Sequence, residues 1–181
     1  MTVGPGEIDG LVVRTLKAAA DDRGLIREFF RASQADELRT PGSWQQINVT
    51  ETVAGAIRGL HGEAMTKLVA VVAGSALGAY VDARPDSPTF GNVTTVPLEP
   101  GVQVLVPRGV CNGFQSVTQT VYVYCFDQEW QPGMPGIAVS ALDPALGIGW
   151  PVAVDPSDRA QLSEKDAGLP TFADATGATN L

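Results

Sequence analysis

The chain has 181 residues, a formal net charge of −8 and a single histidine. Its 12 Lys and Arg residues form no cluster, so no nucleic-acid-binding surface is expected. The longest apolar runs are about eight residues, far below the roughly 20 that span a bilayer, so the sequence predicts a soluble protein without a membrane segment.

The N-terminal segment and the cysteines indicate the compartment. The first ten residues are polar and Gly-rich and lack the basic and apolar regions of a signal peptide. Cys111 and Cys125 lie in apolar surroundings and are too few for a disulfide framework. These features predict a reduced, cytoplasmic protein.

The chain order of predicted elements is typical of an all-β domain. A short helix is expected over Ala32–Thr40, with Ser33 as its N-cap and Glu37 near capping-box spacing. From Pro151 onward we expect short helices and loops, ending in a frayed tail over Ala175–Leu181. Between them lie short strands that recur about every eight to twelve residues, which favours a sandwich or barrel. The predicted strands are Lys67–Ala73, Ala76–Ala83, Asn92–Leu98, Gln103–Val106 and Thr120–Phe126.

The one histidine, His61, is the first candidate for chemistry. Metal centres in β-barrels usually take two or three imidazoles, so a His-rich metal site is excluded and no metal is expected. An imidazole with an unperturbed pKa of about 6.5 suits proton transfer near neutral pH. We therefore interpret His61 as a candidate general base.

Two cations accompany His61 along the chain. Arg58 precedes Gly59, a residue type that permits close approach of backbone or ligand. Lys67 begins the next predicted strand and is expected at the same mouth of the barrel. Together they suit proton removal beside a carbonyl, with Lys67 stabilising the enolate oxygen.

Such a base needs a carboxylate that orients it and stabilises the imidazolium. Spacing alone does not choose among the 20 acidic residues. Those near predicted strand ends or loops are Asp82, Asp127, Asp143 and Asp166. A small anionic ligand would require several cations to converge, and the candidates for that are Arg23, Arg58, Lys67, Arg84 and Arg108.

Short segments along most of the chain carry a resemblance. They are Asp22–Gly24 with Glu28, Gln46–Asn48, Arg58–His61, Lys67–Val69, Val81–Gly91, Pro107–Gly109, Gly113–Phe114, Asp143–Pro144, Trp150–Pro151 and Ser163–Asp166. In this order they resemble the dTDP-4-dehydrorhamnose 3,5-epimerase family. The resemblance implies an all-β cupin or jelly-roll barrel with short peripheral helices. It covers one domain, residues 1–181, with its core at about 10–172.

The resemblance also implies roles for single residues. His61 matches the catalytic base, Asp166 the carboxylate that pairs with it, and Lys67 the lysine that steadies the enolate. The resemblance assigns Arg58 and Arg23 to the nucleotide diphosphate and Gln46 and Asn48 to the sugar pocket. The other expected substrate-binding residues are Glu28, Asn112 and Trp130.

Three positions depart from the family pattern. Asn112 stands where the family has a second active-site histidine, and it cannot carry a proton. Trp130 takes the place of the tyrosine that protonates the face opposite the base, and an indole N–H has no useful acidity. Glu63 replaces a glutamine. These departures suggest a specialised member that acts at one carbon, or on a modified nucleotide sugar in secondary metabolism. Glu129 or a water could serve as its acid.

The expected function is therefore the epimerisation of C3, C5 or both in a dTDP-linked 4-keto-6-deoxysugar, with no metal or redox cofactor. One alternative is another enolate reaction on a nucleotide sugar, such as a ketoisomerisation or a dehydration. The other is a non-catalytic nucleotide-sugar-binding cupin. The resemblance also implies a homodimer with exchanged N-terminal strands, which would cover exposed sheet edges.

Overall fold

The computed structural model describes residues 6–35 and 41–177, in which strands predominate. The strands are β1 Val12–Thr15, β2 Ala18–Asp21, β3 Gly24–Arg27, β4 Gln46–Thr52, β5 Ile57–Glu63, β6 Lys67–Ala73, β7 Ala76–Asp82, β8 Val93–Leu98, β9 Val102–Val106, β10 Val110–Ser116, β11 Thr120–Phe126 and β12 Gly136–Ala138. Two short α-helices follow, α1 Glu164–Ala167 and α2 Phe172–Thr176. Single 3₁₀ turns lie at Ala32–Gln34 and Pro144–Leu146.

Two five-stranded antiparallel sheets form the barrel. One has the order β1-β9-β6-β11-β4 and the other β12-β5-β10-β7-β8. Strands β2 and β3 make a separate hairpin. This is the cupin-like all-β architecture that the resemblance implies, and that prediction is confirmed.

Two apolar clusters hold the layers together. The first joins the facing sides of the two sheets, with Val69 and Tyr122 from one sheet and Tyr80 and Phe114 from the other. The rings of Phe114 and Tyr122 stack with centroids 4.1 Å apart. The second cluster packs C-terminal side chains such as Phe172 against β5, β7 and β10. The C-terminal segment is thereby fixed on the sheet that carries His61.

The five predicted strands are confirmed to within one residue at each end. Alternating β-branched and aromatic residues produced that signal, because they fit a pleated surface with one buried face. The other described strands, β1 to β5, β10 and β12, lie outside the predicted ranges. In the described part of the chain, no helix is long and apolar enough to cross a membrane.

The helix predicted over Ala32–Thr40 is only partly testable, because residues 36–40 lie outside the described residues and Glu37 is among them. Ser33 is not an N-cap, since the described part is one 3₁₀ turn that starts after the extended Arg31. The predicted tail also starts too early. α2 continues to Thr176, because Thr171 caps it and Phe172 is buried.

Candidate active site

A cavity with about 530 Å³ of empty space opens between the two sheets. Strands β5 and β10 form one side, and β6 and β11 form the other. Its lining residues are Arg58, Gly59, His61, Glu63, Lys67, Asn112, Gly113, Phe114, Tyr122, Tyr124 and Phe126. The base and both cations that the sequence singled out therefore reach one cavity.

An irregularity in β5 turns Arg58 and His61 to the same side. His61 pairs with Asn112 and Arg58 with Phe114, so three steps along β5 face two along β10. Such an extra residue changes the alternation of side chains. The strands also approach closely here: a Cβ on Gly59 would lie 2.6 Å from the Cα of Gly113. Gly59 has φ of 113°, and both features require glycine.

His61 contacts Asp166 across a long chain separation. Its Nε2 lies 2.8 Å from Oδ1 of Asp166, which is 105 residues further along the chain. Helix α1 holds the aspartate, because the Ser163 hydroxyl caps the helix and accepts from the Asp166 N–H. The His61 side chain is 32% exposed and that of Asp166 is 9% exposed. The imidazole is thus open to a ligand, while the carboxylate behind it is shielded.

Two opposing influences set the pKa of Asp166. Burial raises it, whereas the hydrogen bond and charge of His61, with the Ser163 contact, lower it. The net pKa lies below the ordinary value. The carboxylate therefore stays ionised and keeps Nε2 of His61 as a donor, which leaves Nδ1 as the nitrogen free to accept a proton.

Lys67 is buried and fully hydrogen-bonded. Its Nζ donates to the backbone oxygen of His61 at 3.1 Å, to Oδ1 of Asn112 at 2.6 Å, and to the Glu63 carboxylate. An ammonium has three N–H donors, so these acceptors occupy all of them. Burial raises the pKa of Glu63, but the charge and hydrogen bond of Lys67 outweigh this and hold the pKa low. Glu63 and Lys67 form an ion pair inside the cavity.

Arg58 connects this cavity with a second, outer one. Its Nε donates to the Thr52 hydroxyl at 3.0 Å. The outer cavity shares Arg58, His61 and Tyr124 with the first. Its other lining residues are Glu51, Thr52, Val53, Ala56, Ile57, Arg159, Ala160, Gln161, Ser163 and Asp166. The guanidinium of Arg159 donates to backbone oxygens of Pro156 and Leu162. The shared residues give a ligand one continuous path from outer cavity to base.

The remaining predicted site residues occupy different places. Gln46 donates to Asn48 at 3.0 Å and accepts from the backbone N–H of Trp130 at 2.7 Å, at the end of β4 beside the barrel mouth. Trp130 itself is 48% exposed and does not line either cavity. Arg23 pairs with Asp21 and Glu28 with Arg31, both on the exposed N-terminal segment. Within one chain, the structure does not bring Arg23 or Glu28 to the base.

The other carboxylate candidates have structural partners. Asp82 accepts from Arg84 and neighbouring hydroxyls, and Asp127 accepts from Arg108 and the Thr66 N–H. Asp143 caps the turn at Pro144–Leu146 and accepts from the Phe172 N–H. Arg84 and Arg108 are therefore engaged elsewhere, and Arg58 and Lys67 are the predicted cations that converge on the cavity.

Sequence reasoning missed the aromatic residues of β11. Tyr122, Tyr124 and Phe126 all line the cavity. The predicted strand Thr120–Phe126 contained them, and its period of two places positions 122, 124 and 126 on one face. Because the outer face of a strand shows the same period, the pattern could not tell which face points inward.

The barrel is of the cupin type, and its cavity places a histidine–aspartate pair beside a lysine, an arrangement suited to proton transfer. The chain matches the family model described as dTDP-4-dehydrorhamnose 3,5-epimerase over residues 5–174. It belongs to this family, and the resemblance read from the sequence is confirmed.

Curated and solved relatives agree with this assignment. A dTDP-4-dehydro-6-deoxyglucose 3-epimerase from Streptomyces bikiniensis is 34% identical, over 94% of this chain and 89% of the relative. A dTDP-4-dehydrorhamnose 3,5-epimerase from Streptomyces griseus is 32% identical, over 94% and 86%. The solved structure of ChmJ, a 3′-monoepimerase from Streptomyces bikiniensis in complex with dTDP-quinovose, superposes with a TM-score of 0.84 at 31% identity, covering 96% of this chain and 90% of that one.

Proposed function

We propose that the protein epimerises a dTDP-linked 4-keto-6-deoxyhexose at C3, C5 or both, in deoxysugar biosynthesis. The observation that carries the proposal is the His61–Asp166 contact of 2.8 Å in a cavity that also holds the Lys67 ammonium. The C4 ketone acidifies the protons on both neighbouring carbons. The relatives include enzymes named for one carbon and for two, so both outcomes belong to the proposal.

His61 is the base in this mechanism. Asp166 accepts from Nε2–H, so Nδ1 removes the proton beside the ketone, and the carboxylate stabilises the imidazolium that forms. The electron pair of the C–H bond becomes part of an enolate whose charge develops on O4. Reprotonation from the opposite face then inverts the carbon.

Lys67 stabilises the O4 charge. All three of its donors are occupied in the structure, so O4 must replace one acceptor. The Glu63 carboxylate is charged and costs more to displace than the two neutral acceptors, the His61 backbone oxygen and the Asn112 amide oxygen. Of these two, Asn112 is the one whose oxygen can turn away by a side-chain rotation. Asn112 thereby becomes free to bond the sugar, although it cannot carry a proton.

Arg58 binds the diphosphate, since its guanidinium lies where the two cavities meet. Gln46 and Asn48 contact the sugar in this proposal, because their positions match those that line the family's sugar pocket. In the single chain they lie on β4 outside both cavities, and Trp130 adjoins them through its backbone contact with Gln46.

A homodimer completes the site in this proposal. The β2–β3 hairpin exposes Leu25 at 55% and Ile26 at 72%, and the edge strand β4 exposes Ile47 and Val49. Exposed apolar edge strands favour pairing with another chain. Exchange of the N-terminal strands would cover both surfaces and bring Arg23 and Glu28 to the partner's nucleotide. Cytoplasmic location is part of the same proposal and is supported by the free, buried Cys111 and Cys125.

The test is solvent exchange with dTDP-4-keto-6-deoxyglucose in D₂O, followed by NMR of the sugar. We expect deuterium at C3, C5 or both, together with the inverted sugar. His61→Asn should abolish exchange, whereas Glu99→Gln, an exposed change in the β8–β9 turn, should leave it unchanged. Binding of the sugar without any exchange would instead indicate a binding cupin, and turnover by His61→Asn at the wild-type rate would refute the assigned base.

A further inference from the structure

Inversion needs a second proton carrier, on the side of the sugar that His61 does not face. The family position for that acid is Trp130, whose indole N–H does not release a proton. Trp130 is 48% exposed and lies outside both cavities, and Glu129 beside it is exposed as well. The protein groups that could serve as the acid are therefore those that line the cavities from other elements.

Most polar residues that line the cavity are excluded by their chemistry. Glu63 is held ionised by Lys67 and has no proton to give. Lys67 donates to three acceptors and is needed at the enolate oxygen. Arg58 does not release a proton, and Asn112 has no acidity. Among the described lining residues, the phenols of β11 are the proton-bearing groups that remain.

Both phenols stand on the sheet that faces His61. Strand β11 lies in the sheet of β6 and β4, whereas β5 lies in the other sheet. Tyr122 and Tyr124 are two residues apart and project from the same face of the strand into the cavity. A sugar bound between the sheets would thus have His61 on one side and a phenol on the other.

Tyr122 is poorly suited to release a proton. Its side chain is fully enclosed, it stacks on Phe114, and its hydroxyl makes no hydrogen bond of normal geometry. Burial raises its pKa well above the ordinary value. A tyrosinate formed there would be a buried charge without a partner, which is strongly unfavourable.

Tyr124 has the contacts that Tyr122 lacks. It is half-buried and lines both the cavity that contains His61 and the outer cavity. Its hydroxyl lies 2.9 Å from the hydroxyl of Thr50 on β4, which can donate to a tyrosinate. Arg58 lines the same two cavities and adds a positive charge nearby. We propose that Tyr124 is the catalytic acid that protonates the sugar on the face opposite His61, an assignment that rests on the proposed function.

The proton balance of this step closes without a cofactor. His61 takes the proton from the carbon, and the enolate forms. The Tyr124 O–H bond then breaks, its proton forms the new C–H bond on the opposite face, and the C4 ketone is restored. The tyrosinate regains a proton from solvent through the Thr50 side, and the imidazolium releases one to solvent.

The test uses Tyr124→Phe and its matched control Tyr80→Phe, each of which removes one hydroxyl and keeps the ring. Tyr80 lies in the core on β7 and lines neither cavity. Without the acid, His61 still removes the proton and returns one on the same face. We expect Tyr124→Phe to lower epimer formation at least about 100-fold while deuterium exchange into recovered substrate stays within about fivefold of wild type. Tyr80→Phe should keep both rates within about fivefold.

Two results would overturn the assignment of Tyr124. One is epimer formation by Tyr124→Phe near the wild-type rate. The other is a parallel loss of exchange and epimerisation with weakened dTDP binding, which would make Tyr124 a binding residue. A wild-type protein that shows no exchange would overturn the proposed function itself, so the two failures are distinguishable.

Discussion

Two buried aspartates, Asp166 and Asp82, lie in different regions and have the same kind of electrostatic environment. Asp166 packs behind His61 at the cavity. Asp82 lies at the end of β7, in the same five-stranded sheet as the strand β5 that carries His61. The Asp82 side chain is 0% exposed and that of Asp166 is 9% exposed. For each, burial raises the pKa but hydrogen bonds lower it further, and at Asp166 the charge of His61 adds to the lowering. Both carboxylates therefore stay ionised.

The two aspartates differ in their hydrogen-bond partners. Asp82 accepts from Arg84 Nε at 2.8 Å and Nη2 at 2.7 Å, a two-pronged contact with a group that never loses its charge. Asp166 accepts from an imidazole, a side chain that can serve as a general acid or base. A buried carboxylate with a lowered pKa is therefore not by itself a sign of catalysis; the proton affinity of its partner decides.

The largest expected effect comes from Asp166→Asn. The amide cannot hold the imidazolium, and its N–H₂ can turn His61 into the wrong tautomer. We expect kcat to fall roughly 10²–10³-fold, while the free energy of unfolding changes by about 1 kcal/mol. Exchange kinetics in D₂O and urea denaturation measure the two quantities. A loss of stability of several kcal/mol with little change in kcat would make Asp166 structural, like Asp82.

Asp82→Asn should show the reverse behaviour. The substitution leaves the Arg84 guanidinium without its carboxylate and weakens the contacts from Ser87 and Thr89, which fix the β7–β8 loop. We expect a loss of about 2–3 kcal/mol in the free energy of unfolding. Asp86→Asn, an exposed change in the same loop, is the control and should cost less than about 0.5 kcal/mol.

Turnover by Asp82→Asn, measured well below its melting temperature, should stay within about twofold of wild type. A large fall in kcat with an intact fold would link Asp82 to the chemistry and remove the distinction between the two aspartates.

The dependence of protein stability on pH tests the contribution of the Asp82 carboxylate. A carboxyl whose folded pKa is depressed stabilises the fold above its unfolded pKa, near 3.9, and loses that contribution as the pH falls through the folded value. We therefore expect a stability plateau near neutral pH and a decline below about pH 4. The acid limb should be flatter in Asp82→Asn than in wild type. An unchanged limb in that variant would show that Asp82 is not a source of the pH dependence.

Some residues of the candidate site could be predicted from the sequence and others could not. His61 and Lys67 could be singled out because their residue types and their spacing around one strand suggested a base beside an ammonium. Asp166 could be singled out only by resemblance, because its contact with His61 spans 105 residues and spacing carries no information at that distance. Asp82, Asp127 and Asp143 were equally plausible partners until the fold placed them.

Other parts of the site depended on geometry that no local pattern contains. The inward face of β11, and with it Tyr124, is set by which sheet the strand joins. The shared direction of Arg58 and His61 depends on the irregular pairing of β5 with β10. Arg23 and Glu28 lie on an exposed segment, so their predicted role requires a second copy of the chain.

The smallest expected effect comes from Arg84→Lys, which keeps the positive charge beside Asp82 and removes the planar fork. A lysine ammonium can satisfy one carboxylate oxygen as a point charge but cannot bond both at 2.7–2.8 Å in one plane. It also loses the contact of Arg84 Nη2 with the backbone oxygen of Asp9, which ties the N-terminal segment to the loop. We expect a cost of about 1 kcal/mol in urea denaturation, between the values for Asp86→Asn and Asp82→Asn. If Arg84→Lys lowered the free energy of unfolding as much as Asp82→Asn, the geometry of the Asp82–Arg84 contact, and not its charge, would stabilise the β7–β8 loop. The Asp82–Arg84 and His61–Asp166 pairs would then share only the lowered pKa of the aspartate.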